Sequence, residues 1–201
     1  MIVIGNDLID LSYTENLRTF SRKGIEKFFS VNENRFVEKL NKKYSYAFMW
    51  AIKESIFKCM IKLGSKKAMG QVKIINEIKI LNNLWYGSTI VEENIYFYSC
   101  CLDKNYIKCV ASNSIEAIEG IQSFVLTKNS VSVYDEIVEF IKRDFSVEEL
   151  IKTTNNIPVL ISKDKEKYLD ISLSNEGNDY FVSYYPKLTD IEDCIYLEVC
   201  H

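Results

Sequence analysis

The stretch AFMWAIKESIFKCMIKL, residues 47–63, contains no helix breaker and is apolar on almost every side. That pattern predicts a buried helix, which extends back to about Tyr44 and stops at Gly64. Three charged residues, Lys53, Glu54 and Lys58, stand inside it. A carboxylate between two ammonium groups is costly in such a helix unless it is paired or binds an ion.

Upstream, IVIG (2–5) reads as a short strand, followed at once by Asp7. SRKGIEKFFSVNENRFVEKL (21–40) predicts two short helices meeting at Ser30, where Ser30 and Glu33 fit a capping box. Downstream, QVKIINEIKIL (71–81), IYFYSCC (95–101) and YIKCVAS (106–112) read as strands, the last two joined by the turn LDKN. The pattern weakens over 113–130, with SNSIEAIEG and TKNS as joints, and VYDEIVEFIKRDF (133–145) restores helical spacing. IPVLISK (157–163), YLDISLS (168–174), YFVSYY (180–185) and CIYLEVC (194–200) are further strands. Each half is therefore a helix plus a strand-turn-strand hairpin, and YSCCLDKNYIKCVA echoes DISLSNEGNDYFVSYY weakly. The fold class expected is α+β, two similar helix-plus-antiparallel-sheet halves related by a pseudo-two-fold.

The 201 residues are 47% hydrophobic, enough to bury a core in one larger domain or two small ones. Charged residues at 26%, with only 2 Pro and 7 Gly, exclude disordered and fibrous classes. No apolar run is long enough to span a bilayer, and the opening MIVIGNDLIDL lacks the basic segment of a secretory signal. A net charge of −3 argues against nucleic-acid binding. Six cysteines without a C-x-x-C predict free thiols in the reducing cytoplasm rather than disulfides or a zinc site. The only histidine is His201, which removes Ser-His-Asp and Cys-His catalysis. Any chemistry must run on carboxylates, lysines and a metal.

Glu54 and Lys58 are four apart and share a helix face, so one reading is an ordinary ion pair of about 0.3–0.5 kcal/mol. The other joins Glu54 to Asp7, delivered by a strand end to a cleft. Two carboxylates with waters and substrate phosphates make the sparse oxygen site that Mg²⁺ prefers, with lysines neutralising the phosphates. The run KCMIKLGSKK (58–67) is either a solvated helix end or a phosphate site.

GND (5–7), KFFSVNE (27–33) and WAIKESIFK (50–58) resemble the 4′-phosphopantetheinyl transferase family. Its patterns are G-x-D at a strand end, F-(S/T)-x-x-E opening a helix, and W-x-x-K-E-(A/S)-x-x-K. KLGSKK and NYIKCVAS resemble the loop and closing strand that follow, so residues 1–113 are covered. The resemblance implies Mg-dependent transfer of the phosphopantetheine arm of coenzyme A to a serine of an acidic carrier protein, of the holo-acyl-carrier-protein synthase type. It implies Asp7 and Glu54 as metal ligands, and Glu54 with Lys58 as the catalytic pair. Lys53, Lys58, Lys62 and Lys66 become contacts to the coenzyme. An exposed Lys62/Lys66/Lys67 cluster would dock a fatty-acid, polyketide or peptide carrier. Trp50 is expected to pack.

Two departures stand out. Two-half members carry a third acidic ligand where this chain has Ile9, so a water is expected in that place, and Asp10 is expected to cap or pair nearby rather than to contact the metal. IPVLISKDKEKYLDISLSNEGNDYFVSYY (157–185) resembles the family's other half, in which S-H-S-G contacts coenzyme A. Ser174 and Gly177 match, whereas Asn175 replaces the histidine and Ile157 a lysine. Residues 120–201 would then be a second, more degenerate half completing the coenzyme A cleft, in permuted order. The chain would be a monomeric pseudo-dimer; otherwise residues 1–113 would act in a homo-oligomer. A relative that binds without transfer, and an interaction domain with only a surface ion pair, are the alternative readings.

Overall fold

The computed structural model describes residues 1–12, 22–40, 44–74, 78–128, 132–153 and 156–193. The opening stretch forms the helix expected of it. Preceding it are β1 (Ile4–Asp10), α1 (Arg22–Phe28) and α2 (Val31–Leu40), and the helix itself is α3 (Ser45–Lys62). The capping box forms: Ser30 N–H donates to Glu33 Oε2 at 2.6 Å and Glu33 N–H to Ser30 Oγ at 3.3 Å. Gly64 ends α3 at φ +80°, a left-handed terminus that favours glycine.

The strands β2 (Ile78–Leu81), β3 (Leu84–Val91), β4 (Asn94–Asp103) and β5 (Tyr106–Ser112) follow, then the short helix α4 (Ile115–Gly120). The second half holds β6 (Gln122–Thr127), α5 (Val133–Ile141), β7 (Val147–Lys152), β8 (Pro158–Ser162), β9 (Lys167–Glu176) and β10 (Asp179–Asp190). Two antiparallel five-stranded sheets result, ordered β1-β5-β4-β3-β2 and β6-β10-β9-β8-β7. In each the first strand returns to pair with the last. The two halves are copies of one topology.

α3 lies on β1, β5 and β4, which explains why it is apolar all round. Met49, Ile52, Ile56, Cys59 and Met60 are fully buried there, and Phe48 stacks on Trp85 with ring centroids 4.7 Å apart. Trp50 packs edge-on against Phe28, as expected. Ile137, Ile141, Leu160, Leu169 and Tyr184 centre the second core. The cores interlock: Ile4 belongs to the second, while Val159, Ile161 and Tyr168 join the first.

The strand expected over 71–81 is shorter, because only Ile78–Leu81 pairs in the sheet. Gln71 lies in a 3-10 turn, and the Val72 carbonyl and Ile74 N–H are engaged by the Lys53 and Glu33 side chains. Strands β3, β6 and β7 were not expected. The expected strand 194–200, with Cys194, Cys200 and His201, lies outside the described residues. Cys59, Cys100, Cys101 and Cys109 are free thiols, and no helix among the described residues is long and apolar enough to cross a membrane.

Candidate functional site

Gly5 is where α3 touches β1. A Cβ at this position would lie 1.9 Å from Ser55 O and 3.1 Å from Lys58 Cβ, so only glycine admits the helix backbone. One edge of β1 pairs with β5; the other meets the side chains of β9. Ile4 N–H donates to Asp170 Oδ2 at 2.7 Å and Asn6 N–H to Ser172 Oγ at 3.0 Å. These buried backbone donors, which face β9 without a strand ladder to it, are thereby satisfied. The Asn6 side-chain amide reaches Ser172 O at 3.0 Å and Phe181 O at 2.8 Å, tying β1 to β9 and β10.

Asp7 follows on this strand, 8% exposed, and its Oδ2 has no hydrogen-bond partner among the described residues. Burial pushes its pKa up to about 7; Lys58 pulls it down, while Glu54 and Glu176 push it further up. Lys58 Nζ donates to Asn6 O at 2.7 Å and Leu173 O at 3.2 Å, so it touches both halves. Burial lowers the Lys58 pKa, and Asp7 and Glu54 oppose that shift. Glu54 is half-buried, one helical turn before Lys58. Asp7, Glu54 and Lys58 therefore share one electrostatic neighbourhood. Ser174 Oγ, on β9, is a second buried oxygen without a partner among the described residues.

A dry carboxylate oxygen without a donor is the ligand that a hard divalent cation would satisfy. No three His, Cys, Asp or Glu side chains among the described residues converge as a closed metal cage. Two carboxylates and open positions fit Mg²⁺, which keeps several waters.

The other expected contacts lie elsewhere. Lys53 is fully buried, ion-paired with Glu33 at 2.9 Å and donating to Val72 O. It joins α3 to α2. Lys62 is also buried, paired with Asp170 at 2.6 Å and donating to Ile171 O at 2.9 Å. The exposed Lys62/Lys66/Lys67 cluster therefore does not form: Lys66 is exposed, and Lys67 pairs with Glu92 at 3.6 Å. Asn175 is exposed beside Gly177, whose φ of +58° suits the first position of a tight hairpin turn. Asp10 Oδ1 accepts from Ser12 N–H at 2.8 Å, a local contact in the turn after β1. Ile157 is buried in the first core.

Asn6, Asp170 and Glu176 did not stand out in the sequence. Their signal is strand alternation: Asp170, Ser172, Ser174 and Glu176 occupy every second place of β9, a polar face on a strand otherwise rich in apolar residues.

Residues 3–111, which hold α1–α3 and all but the last residue of the first sheet, match the model of the 4′-phosphopantetheinyl transferase superfamily. No curated protein and no solved structure matches the chain. The match takes in Gly5, Asp7, Glu33, Glu54 and Lys58 and spans more than half of the sequence. The chain belongs to the 4′-phosphopantetheinyl transferase superfamily.

Proposed function

We propose that this protein transfers the 4′-phosphopantetheine arm of coenzyme A to a serine of an apo acyl or peptidyl carrier protein, releasing adenosine 3′,5′-bisphosphate. The observation that carries this reading is the buried Asp7, its Oδ2 unpartnered among the described residues, beside Glu54 and Lys58. Asp7 and Glu54 would hold Mg²⁺, which would supply positive charge to neutralise the pyrophosphate. Lys58 carries three N–H donors. Two hold Asn6 O and Leu173 O, and the third is available to a pyrophosphate oxygen.

Glu54, less buried than Asp7, accepts the proton of the attacking serine directly or through one water. The serine oxygen bonds to the phosphorus that carries the pantetheine. The bond from that phosphorus to the bridging oxygen breaks, and its electron pair leaves with the bisphosphate. Ser174 and Asn175 contact the coenzyme from the second half, and Lys66 faces an acidic carrier. Residues 1–113 and 120–201 then act as two halves of one cleft in permuted order. The seam between β1 and β9 supports a pseudo-dimer within one chain.

The test is incubation with apo carrier proteins, coenzyme A and Mg²⁺, followed by mass spectrometry. Gain of the phosphopantetheine arm, lost in Asp7→Ala and Glu54→Ala, is the expected result. A second reading is a relative that binds without transfer. It draws on the exposed Asn175 in place of a histidine and on Lys62 being held inside the fold. Coenzyme A binding with no mass gain on any carrier favours it.

A further inference from the structure

The middle residue of GND (5–7) is the one that the pattern G-x-D leaves open, and here it is asparagine. Alternation along β1 turns Gly5 and Asp7 towards α3, so the Asn6 side chain leaves from the opposite face, into the second half. Asn6 is fully buried, yet each of its polar groups is engaged. It and Ser172 clasp each other. Asn6 N–H donates to Ser172 Oγ, that hydroxyl donates to Asn6 Oδ1, and Asn6 Nδ2 donates to Ser172 O, each at 3.0 Å. Nδ2 also reaches Phe181 O at 2.8 Å and Ser183 Oγ at 3.1 Å on β10.

The clasp adjoins both oxygens that hold the Lys58 ammonium. One is the carbonyl of Asn6 itself, at 2.7 Å; the other is the carbonyl of Leu173, the residue after Ser172, at 3.2 Å. The Lys58 stem passes Gly5, where an added Cβ would come 3.1 Å from Lys58 Cβ. Two carbonyls from separate halves make one cradle only while β1 and β9 keep a fixed separation, and the clasp fixes it. We infer that Asn6 is a positioning residue: through Ser172 it aims the Lys58 ammonium. With two N–H groups on Asn6 O and Leu173 O, the third is directed at the pyrophosphate of the substrate. This rests on the proposed transfer only for what that third N–H meets. The G-x-D segment then has two tasks, since Asp7 offers its carboxylate to the cation while residue 6 ties the strand to the second half.

Ser172→Ala and Ser183→Ala are a matched pair. Each deletes one buried hydroxyl with two hydrogen bonds: Ser172 Oγ bonds Asn6 twice, whereas Ser183 Oγ bonds Asn6 Nδ2 and Ser123 Oγ. Only the first opens the clasp. In the ligand-free full chain, ¹⁵N NMR of the lysine ammonium groups at slightly acidic pH reads Lys58, its signal assigned by its loss in Lys58→Met. Ser172→Ala and Asn6→Ala are expected to speed hydrogen exchange of this ammonium about tenfold, and Ser183→Ala to leave it unchanged. With coenzyme A, Mg²⁺ and an apo carrier, Ser172→Ala is expected to lower kcat/KM about tenfold and Ser183→Ala to leave it near the parent. Thermal melting checks that the variants are folded, and Ser172→Ala carries the test where Asn6→Ala does not fold. Equal exchange in the matched pair, or equal transfer at equal melting temperature, makes the clasp structural only and overturns the proposal. If the parent modifies no carrier, the proposed transfer fails, and the exchange rates still decide the role of Asn6.

Discussion

At Gly5 a single hydrogen atom allows helix and strand to meet, since the carbonyl of Ser55 occupies the space a Cβ needs. Both sides of this contact are backbone, so nothing flexible yields. Gly5→Ala is expected to destabilise the fold by about 1–3 kcal/mol and to displace Asp7, read by chemical denaturation and by loss of transfer. Asp7 itself sets a pH dependence. Its carboxyl keeps a proton to about pH 7 in the folded chain but releases it near 3.8 when unfolded. The folded chain binds more protons between those values, so stability falls as pH rises through that window. Asp7→Asn removes the fall, and the metal-free variant should melt above the parent at pH 8 and level with it near pH 4. Mg²⁺ should raise the parent's melting temperature more at pH 8 than at pH 5 and leave Asp7→Asn unchanged. Asp7, Glu54 and Lys58 were legible as a group because motif spacing on one strand and one helix brings them together. Lys53 and Lys62 were not, because sequence does not reveal which face of a fully buried helix meets a carboxylate.

The helix α3 and the hairpin β4–β5 were legible as elements, having strong periodicity and turn residues that match their geometry. Strands β6 and β7 escaped notice because both are sheet edges. QSFVLT and VEELIK show little alternation, since an edge strand buries few side chains. The segment 71–74 misled for the opposite reason: its apolar residues are core, but its backbone is held by side chains. Glu33 is central here. It caps α2, receives Ile74 N–H at 2.8 Å and pairs with Lys53, all away from solvent. Lys53→Met leaves that carboxylate buried without its cation and should cost about 3–5 kcal/mol. The double variant Lys53→Met/Glu33→Gln should cost less than the sum of the single changes, and a denaturation cycle over the four proteins checks this coupling.

Across the whole molecule, two sheets of identical strand order meet where their apolar cores interlock, and polar side chains tie β1 to β9 along that seam. Lys62 and Asp170 sit at its centre, and Asp170 also receives Ile4 N–H, so one carboxylate serves a cation and a strand edge. Asp170→Asn should therefore loosen the seam. The expected outcome is loss of a single cooperative unfolding transition, seen by calorimetry, with weakened Mn²⁺ binding at a site the substitution does not touch. The twofold plan was only faintly visible in the sequence because the halves share strand order and little else: three helices precede β2 in the first, one precedes β7 in the second. The seam also governs how the chain matures. On the ribosome β1 emerges more than 160 positions ahead of the residues that cover its second edge. Until then it is an open ladder that a neighbouring nascent chain can join. Folding that waits on so distant a contact is slow. Chains arrested before residue 167 should aggregate during synthesis unless a chaperone shields them.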